Sequence, residues 1–133
     1  MENRRILVDT SVIIEFLRKD KKEKSWLWKI KETSVCFISS ITLFELLSGA
    51  KTDKQVEDID KITKWIESIY FDDEIAMVAA SMFKNLKRNN QIIDYRDIFI
   101  AATAKFCNLK LATLNISHFN RIEGLTLLNI QEK

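Results

Sequence analysis

The sequence predicts an α/β fold, a parallel sheet of four to five strands with helices on both faces. Three observations point there. Short apolar runs alternate with longer stretches whose apolar residues recur every three or four positions, the order of strand–helix–strand units. No two of the runs are joined by a tight-turn sequence, so hairpins are not expected and the strands run parallel. The 133 residues include two glycines and no proline, which favours long helices with short connections.

Arg5-Ile6-Leu7-Val8-Asp9 reads as a buried strand ending in an acid, and Thr10 or Ser11 can cap a helix whose apolar face is Val12, Ile13, Phe16 and Leu17. Residues 20–32 read as helical around Trp26, Leu27 and Ile30. Val35 to Ile38 is the second strand. Ser39 or Ser40 then caps a helix with Leu43, Phe44 and Leu47 as its apolar face and Gly49 at its end. Val56, Ile59, Ile62, Trp65, Ile66 and Ile69 mark a long amphipathic helix, and Ile69-Tyr70-Phe71 a short strand. Asp72 caps a helix carrying Ile75, Val78, Ala79, Met82, Phe83 and Leu86. Asp94 or Asp97 opens another, Ile98 to Phe106, which is apolar almost all round and therefore buried against the sheet. Leu109 to Thr113 and Leu125 to Leu128 are the last strands. No linker, repeat or low-complexity stretch interrupts the chain, so residues 1–133 read as one domain.

With 47% hydrophobic and 30% charged residues, the composition is that of an ordinary globular protein. The net charge of +2 is too small to announce a nucleic-acid binder. The basic clusters Arg18 to Lys24 and Lys84, Lys87, Arg88 read more readily as solvated faces and helix C-termini than as RNA contacts. Trp26, Trp28 and Trp65 sit at helical spacing among apolar neighbours, as core or interface residues do. Cys36 and Cys107 lie in apolar contexts and read as buried thiols. The charged start Met1 to Arg5 leads into only Ile6-Leu7-Val8, short of a secretory signal, and no window approaches the ~20 apolar residues of a membrane span. The expectation is a cytoplasmic protein without membrane contact.

The acids carry the chemistry. In an open parallel sheet ligands bind at the carboxyl ends of the strands, where strand order reverses. Asp9 ends the first strand, Glu45 lies early in the helix after the second, Asp97 begins the buried helix, and Asn115 follows the strand ending at Thr113. Carboxylates gathered on one rim repel, so one takes a proton or a cation sits among them. Hard divalent ions take oxygen ligands, and a metal so held activates water and stabilises a leaving oxygen in phosphodiester hydrolysis. One histidine, no Cys/His cluster and no Gly-rich phosphate loop exclude zinc hydrolases, P-loop NTPases and histidine-pair ribonucleases. Each residue also has a plainer use. Asp9 has an equal claim as a helix cap, Asp97 suits a helix dipole, Asp94 suits an N-cap or outer-shell group, and Asn115 suits a turn.

Together these residues resemble the PIN-domain family, most closely its VapC-type toxins of prokaryotic toxin–antitoxin systems, over almost the whole chain. Leu7-Val8-Asp9-Thr10-Ser11-Val12-Ile13 looks like the opening motif with the first catalytic acid. Ser39 to Gly49 is similar to the block whose acid falls on Glu45, and Asp97-Ile98-Phe99-Ile100-Ala101-Ala102 matches Asp-x-x-Ile-Ala-Ala. Thr113-Leu114-Asn115-Ile116-Ser117-His118-Phe119 looks like the terminal Thr-x-Asn block. The resemblance implies a Rossmann-like PIN fold and a magnesium- or manganese-dependent endoribonuclease that cuts single-stranded RNA. It also implies a homodimer and a small cognate VapB-type antitoxin. Asp9, Glu45 and Asp97 would be catalytic and hold the ion, with Asn115 in support. Thr10, Ser11, Asp94 and Thr113 would assist. By their place near the rim, Arg96, which adjoins Asp97, and Arg121 would meet flanking phosphates, with a surface salt bridge at least as good a reading for either. The departure is at the fourth acidic position, where the block offers Asn115, and His118 stands where some members have another acid. That departure keeps a rival open, a catalytically silent PIN-fold RNA-binding or scaffold protein. A response-regulator receiver domain is disfavoured, since it needs adjacent acids after the first strand and a lysine on a late strand end.

Overall fold

The computed structural model describes residues 4–128 and 130; of the charged start, Met1 to Asn3 lie outside the described residues. Five parallel strands form one sheet: β1 Arg4–Val8, β2 Ser34–Ser39, β3 Glu67–Ile69, β4 Lys110–Ala112 and β5 Leu127–Leu128, in the order β3-β2-β1-β4-β5. The helices are α1 Thr10–Arg18, α2 Trp26–Lys31, α3 Ser40–Gly49, α4 Asp53–Thr63, α5 Asp73–Arg88, α6 Tyr95–Phe106 and the single turn α7 Ile116–Phe119. Side chains alternate across the strands and so divide the core. Ile6, Val8, Cys36, Ile38 and Ala112 pack with Val12, Ile13, Leu27, Ile59 and Ile62. Leu7, Phe37 and Leu111 pack with the α5 and α6 residues Ile75, Met82, Ile98 and Ala101 on the other face. The helix that reads as apolar all round, α6, buries Ile98 and every residue from Ile100 to Ala104.

Several elements differ from their sequence reading, each for a tertiary reason. The N-cap of α1 is Asp9, the alternative its position allowed, in extended conformation and without a side-chain cap bond; the Thr10 hydroxyl goes to Glu45, and that of Ser11 goes to Asp9 while accepting from Leu114 N–H. Residues 20–32 break at the buried Ser25, whose hydroxyl caps α2 at Trp28 N–H, leaving a 3-10 turn at Lys22–Lys24. In α3 the buried residues are Thr42 and Leu46, while Phe44 and Leu47 are 60% and 45% exposed. At about 100° per residue, turning Thr42 and Glu45 toward α1 carries positions 44 and 47 outward. The long helix stops at Thr63; Trp65 is exposed, and Glu67–Ile69 pairs with Phe37–Ser39, so the strand begins two residues before Ile69. Lys22 Nζ donates to the Phe16 and Leu17 carbonyls at 2.7 and 2.9 Å, a helix C-terminal use of the basic cluster. Both cysteines are free, Cys36 buried and Cys107 half-buried. No helix among the described residues is long and apolar enough to cross a membrane.

Candidate active site

From β1 the chain moves outward through β2 to β3, then crosses over to β4 and β5 on the other side of β1. The strands flanking that reversal are β1 and β4, and the crevice between their carboxyl ends is where such sheets bind ligands. The residues that follow them are Asp9 and Thr113, with Asp9 N–H bonded to the Ala112 carbonyl at 2.8 Å.

Asp9 is 3% exposed. Its Oδ2 accepts from the hydroxyls of Ser11 at 2.8 Å and Thr113 at 2.7 Å. Each hydroxyl is aimed by the backbone: Ser11 Oγ accepts from Leu114 N–H at 3.0 Å, and Thr113 Oγ1 from Asn115 N–H at 2.9 Å. Among the described residues no donor reaches Asp9 Oδ1. Glu45 is tied to the same strand end through Thr10, whose hydroxyl donates to Oε1 at 2.7 Å and lies 3.0 Å from the buried Thr42 hydroxyl.

Asp97, in the first turn of α6, has a side chain only 17% exposed and places Oδ2 3.0 Å from His118 Nδ1. Burial, and after it the negative charge of Asp9, push its carboxyl above the usual range, against the opposing hydrogen bond from His118. Asp94 caps α6 at Arg96 N–H and grips the guanidinium through Nε at 3.1 Å and Nη2 at 3.3 Å. That grip holds the Asp94 carboxyl below its usual range. Arg96 also reaches within 3.8 Å of Glu45 Oε2. Asp9, Thr10, Ser11, Glu45, Asp94, Arg96, Asp97 and Thr113 thus line one edge in three bonded sets: Asp9 with Ser11 and Thr113, Glu45 with Thr10, Arg96 and Asp94, and Asp97 with His118. Asn115 is exposed at the N-cap of α7, and its side chain makes no cap bond. Arg121 is exposed beyond α7 and joins no ion pair among the described residues.

The same blocks fall inside a PIN domain match that spans residues 6–125. The chain belongs to the PIN-domain family. It is similar to Ribonuclease VapC1 of Methanocaldococcus jannaschii, with 34% identity over 95% of this chain and 87% of that protein. It is also similar to Ribonuclease VapC10 of Mycobacterium tuberculosis, with 32% identity over 90% of each. Among solved structures, VapBC2 from Rickettsia felis bound to a promoter DNA fragment superposes with a TM-score of 0.80 and 26% identity, covering 93% of this chain and 97% of that one.

As a PIN domain the chain presents an all-oxygen acidic donor set, the kind a hard divalent cation takes. Among the described residues no three His, Cys, Asp or Glu side chains close into a group able to hold an ion by themselves. The donors still fit magnesium or manganese. Such ions keep several waters beside one or two direct carboxylates, and Asp9 and Asp97 are close enough for one charge to disfavour the other. Two residues of this PIN edge have no role in the sequence reading, Thr42 and His118. Thr42 stands three positions before Glu45, which is one helical face, and His118 is the chain's sole histidine, three positions after Asn115; those spacings were the available signals.

Proposed function

We propose that this PIN domain is a magnesium- or manganese-dependent endoribonuclease, the toxin of a VapBC-type pair, acting in the cytoplasm. The supporting observation is the edge between β1 and β4, where Asp9, Glu45 and Asp97 arrive from three elements and Asp9 disfavours the charge of Asp97. Asp9, Glu45 and Asp97 would hold the ion, in part through water, with Asn115 offering a carbonyl oxygen. When bound, a divalent ion supplies water activation and charge stabilisation at phosphorus. The chain's own residues do the rest. Ser11 and Thr113 fix Asp9 and Thr10 fixes Glu45, and the oxygen of Thr10 or Ser11 would help position the attacking water. Arg96, aimed by Asp94, stands beside the acids with an exposed guanidinium able to pair with a flanking phosphate of single-stranded RNA. Arg121 would serve a more distant phosphate. The relatives named Ribonuclease VapC support the reaction, and the VapBC2 complex supports a VapB-type antitoxin as partner; a homodimer completes the reading.

Cleavage of a labelled RNA by the purified chain tests this. Activity should appear with Mg2+ or Mn2+ and vanish in EDTA. Asp9→Asn and Asp97→Asn should each lower it by more than the about 10–100-fold that loss of an outer-shell partner costs, with the fold intact. Either variant cutting at the wild-type rate refutes the assignment. RNA retained in EDTA with no new ends under any condition would favour a silent binding protein.

A further inference from the structure

The three acids share one arrangement: each has one oxygen tied by a donor of this chain. Asp9 Oδ2 is tied by Ser11 and Thr113, Glu45 Oε1 by Thr10, and Asp97 Oδ2 by His118. Oδ1 of Asp9 and Oδ1 of Asp97 meet no donor among the described residues. For Asp9 and Glu45 the tie is a hydroxyl. For Asp97 it is an imidazole that crosses from α7 to the first turn of α6.

We propose that His118 is the positioning residue of Asp97, holding Oδ2 through Nδ1–H so that Oδ1 is presented to the divalent ion. The proposal rests on the metal-dependent reading above. A carboxylate has no proton to give, so Nδ1 donates. The ring is carried by a fixed support although it is 53% exposed itself. The next residue, Phe119, is 1% exposed in the core, and its ring centroid lies 6.5 Å from that of His118. The turn is closed by His118 N–H to the Asn115 carbonyl at 3.0 Å and Asn120 N–H to the Ile116 carbonyl at 2.9 Å. Among the described residues no other side chain donates to Asp97. Arg96, beside Asp97 in sequence, is directed to Asp94 and Glu45. Partners of this kind, which orient a ligand without touching the ion, are worth about 10–100-fold in metal affinity.

Binding of Mn2+ to the full chain, followed by the electron paramagnetic resonance of the free ion, tests the role without any turnover. His118→Ala leaves Asp97 untied and should weaken binding by about 10–100-fold. His118→Asn keeps an N–H near the Nδ1 position and should restore most of the loss. Circular dichroism melts identify any variant that fails to fold. Wild-type affinity in His118→Ala, or no rescue by His118→Asn, overturns the proposal. Ring-nitrogen shifts of the metal-free wild type, at a pH where the imidazole is neutral, should report the Nδ1–H tautomer. An Nε2–H tautomer overturns the proposal whether or not the ion binds. A wild type that takes up no Mn2+ while keeping the Nδ1–H tautomer removes the metal-dependent reading, and this proposal with it, so the two failures are told apart.

Discussion

Asp97 carries its charge against the fold. Burial and the neighbouring Asp9 both favour its neutral form, and only His118 opposes them, so its folded pKa lies above the unfolded one. The consequence for stability has a definite sign. Below the unfolded pKa the acid is protonated in both states and has no effect; as pH rises through the unfolded and then the folded value a penalty develops, and above the folded value it is complete. Asp97→Asn should therefore melt above the wild type at neutral pH, and the gap should close as pH falls below the carboxylate range. Thermal melts across that series measure it, and equal midpoints at neutral pH would contradict it. The chemistry explains why such a residue is tolerated: a charge that the fold disfavours is one that a bound cation would relieve.

At the scale of the element, a chain with two glycines and no proline needs other ways to stop its helices, and after α5 and α6 it uses asparagine. After α5, Asn90 takes φ 58°, with Asn90 N–H bonded to the Lys87 carbonyl and Gln91 N–H to that of Leu86. After α6, Asn108 takes φ 56°, with Asn108 N–H to Lys105 and Leu109 N–H to Ala104. Both are Schellman endings with asparagine in the left-handed position that usually selects glycine. Asn108→Ala should cost about 1–2 kcal/mol in denaturant unfolding, and Asn108→Gly should stay near the wild type. A cost at Gly equal to that at Ala would refute the backbone explanation. What was legible at this scale followed from local rules. β1, β2 and β4 announce themselves as apolar runs because parallel strands are covered on both faces, and Asp72 and Asp94 cap α5 and α6 as their positions suggest. The misreadings arose where a distant partner overrode the local rule. Thr10 and Ser11 have good capping chemistry, but Glu45 of α3 claims the Thr10 hydroxyl and Leu114 N–H, beyond β4, donates to that of Ser11. Of the α3 apolar stripe Leu43, Phe44 and Leu47, only Leu43 packs against the core, and Thr42 and Leu46 face inward where Phe44 and Leu47 turn out.

Across the whole molecule, the edge that gathers Asp9, Glu45 and Asp97 was legible because topology alone sends strand ends to one rim. The hydroxyl and imidazole ties were not, since they join residues up to 104 positions apart through side-chain geometry that no spacing encodes. That long-range wiring makes the site a property of the global fold. β1, β4, α3, α6 and α7 must all be in place before the acids share one rim, so an ion bound there should stabilise the entire chain. A ligand that binds only the folded state at about a hundred times its dissociation constant contributes about 2.7 kcal/mol. For a chain of this size that corresponds to a midpoint shift on the order of 10 °C. Melts with increasing Mn2+ or Mg2+ should show the shift in the wild type and lose most of it in Asp9→Asn. Asp58→Asn, which removes a half-buried acid paired with Lys54 on α4, should keep it. The contrast separates a specific site from general screening of charge, because screening would act on all three proteins alike. A wild type without the shift, or a shift undiminished in Asp9→Asn, would break the link between the acidic edge and a bound cation.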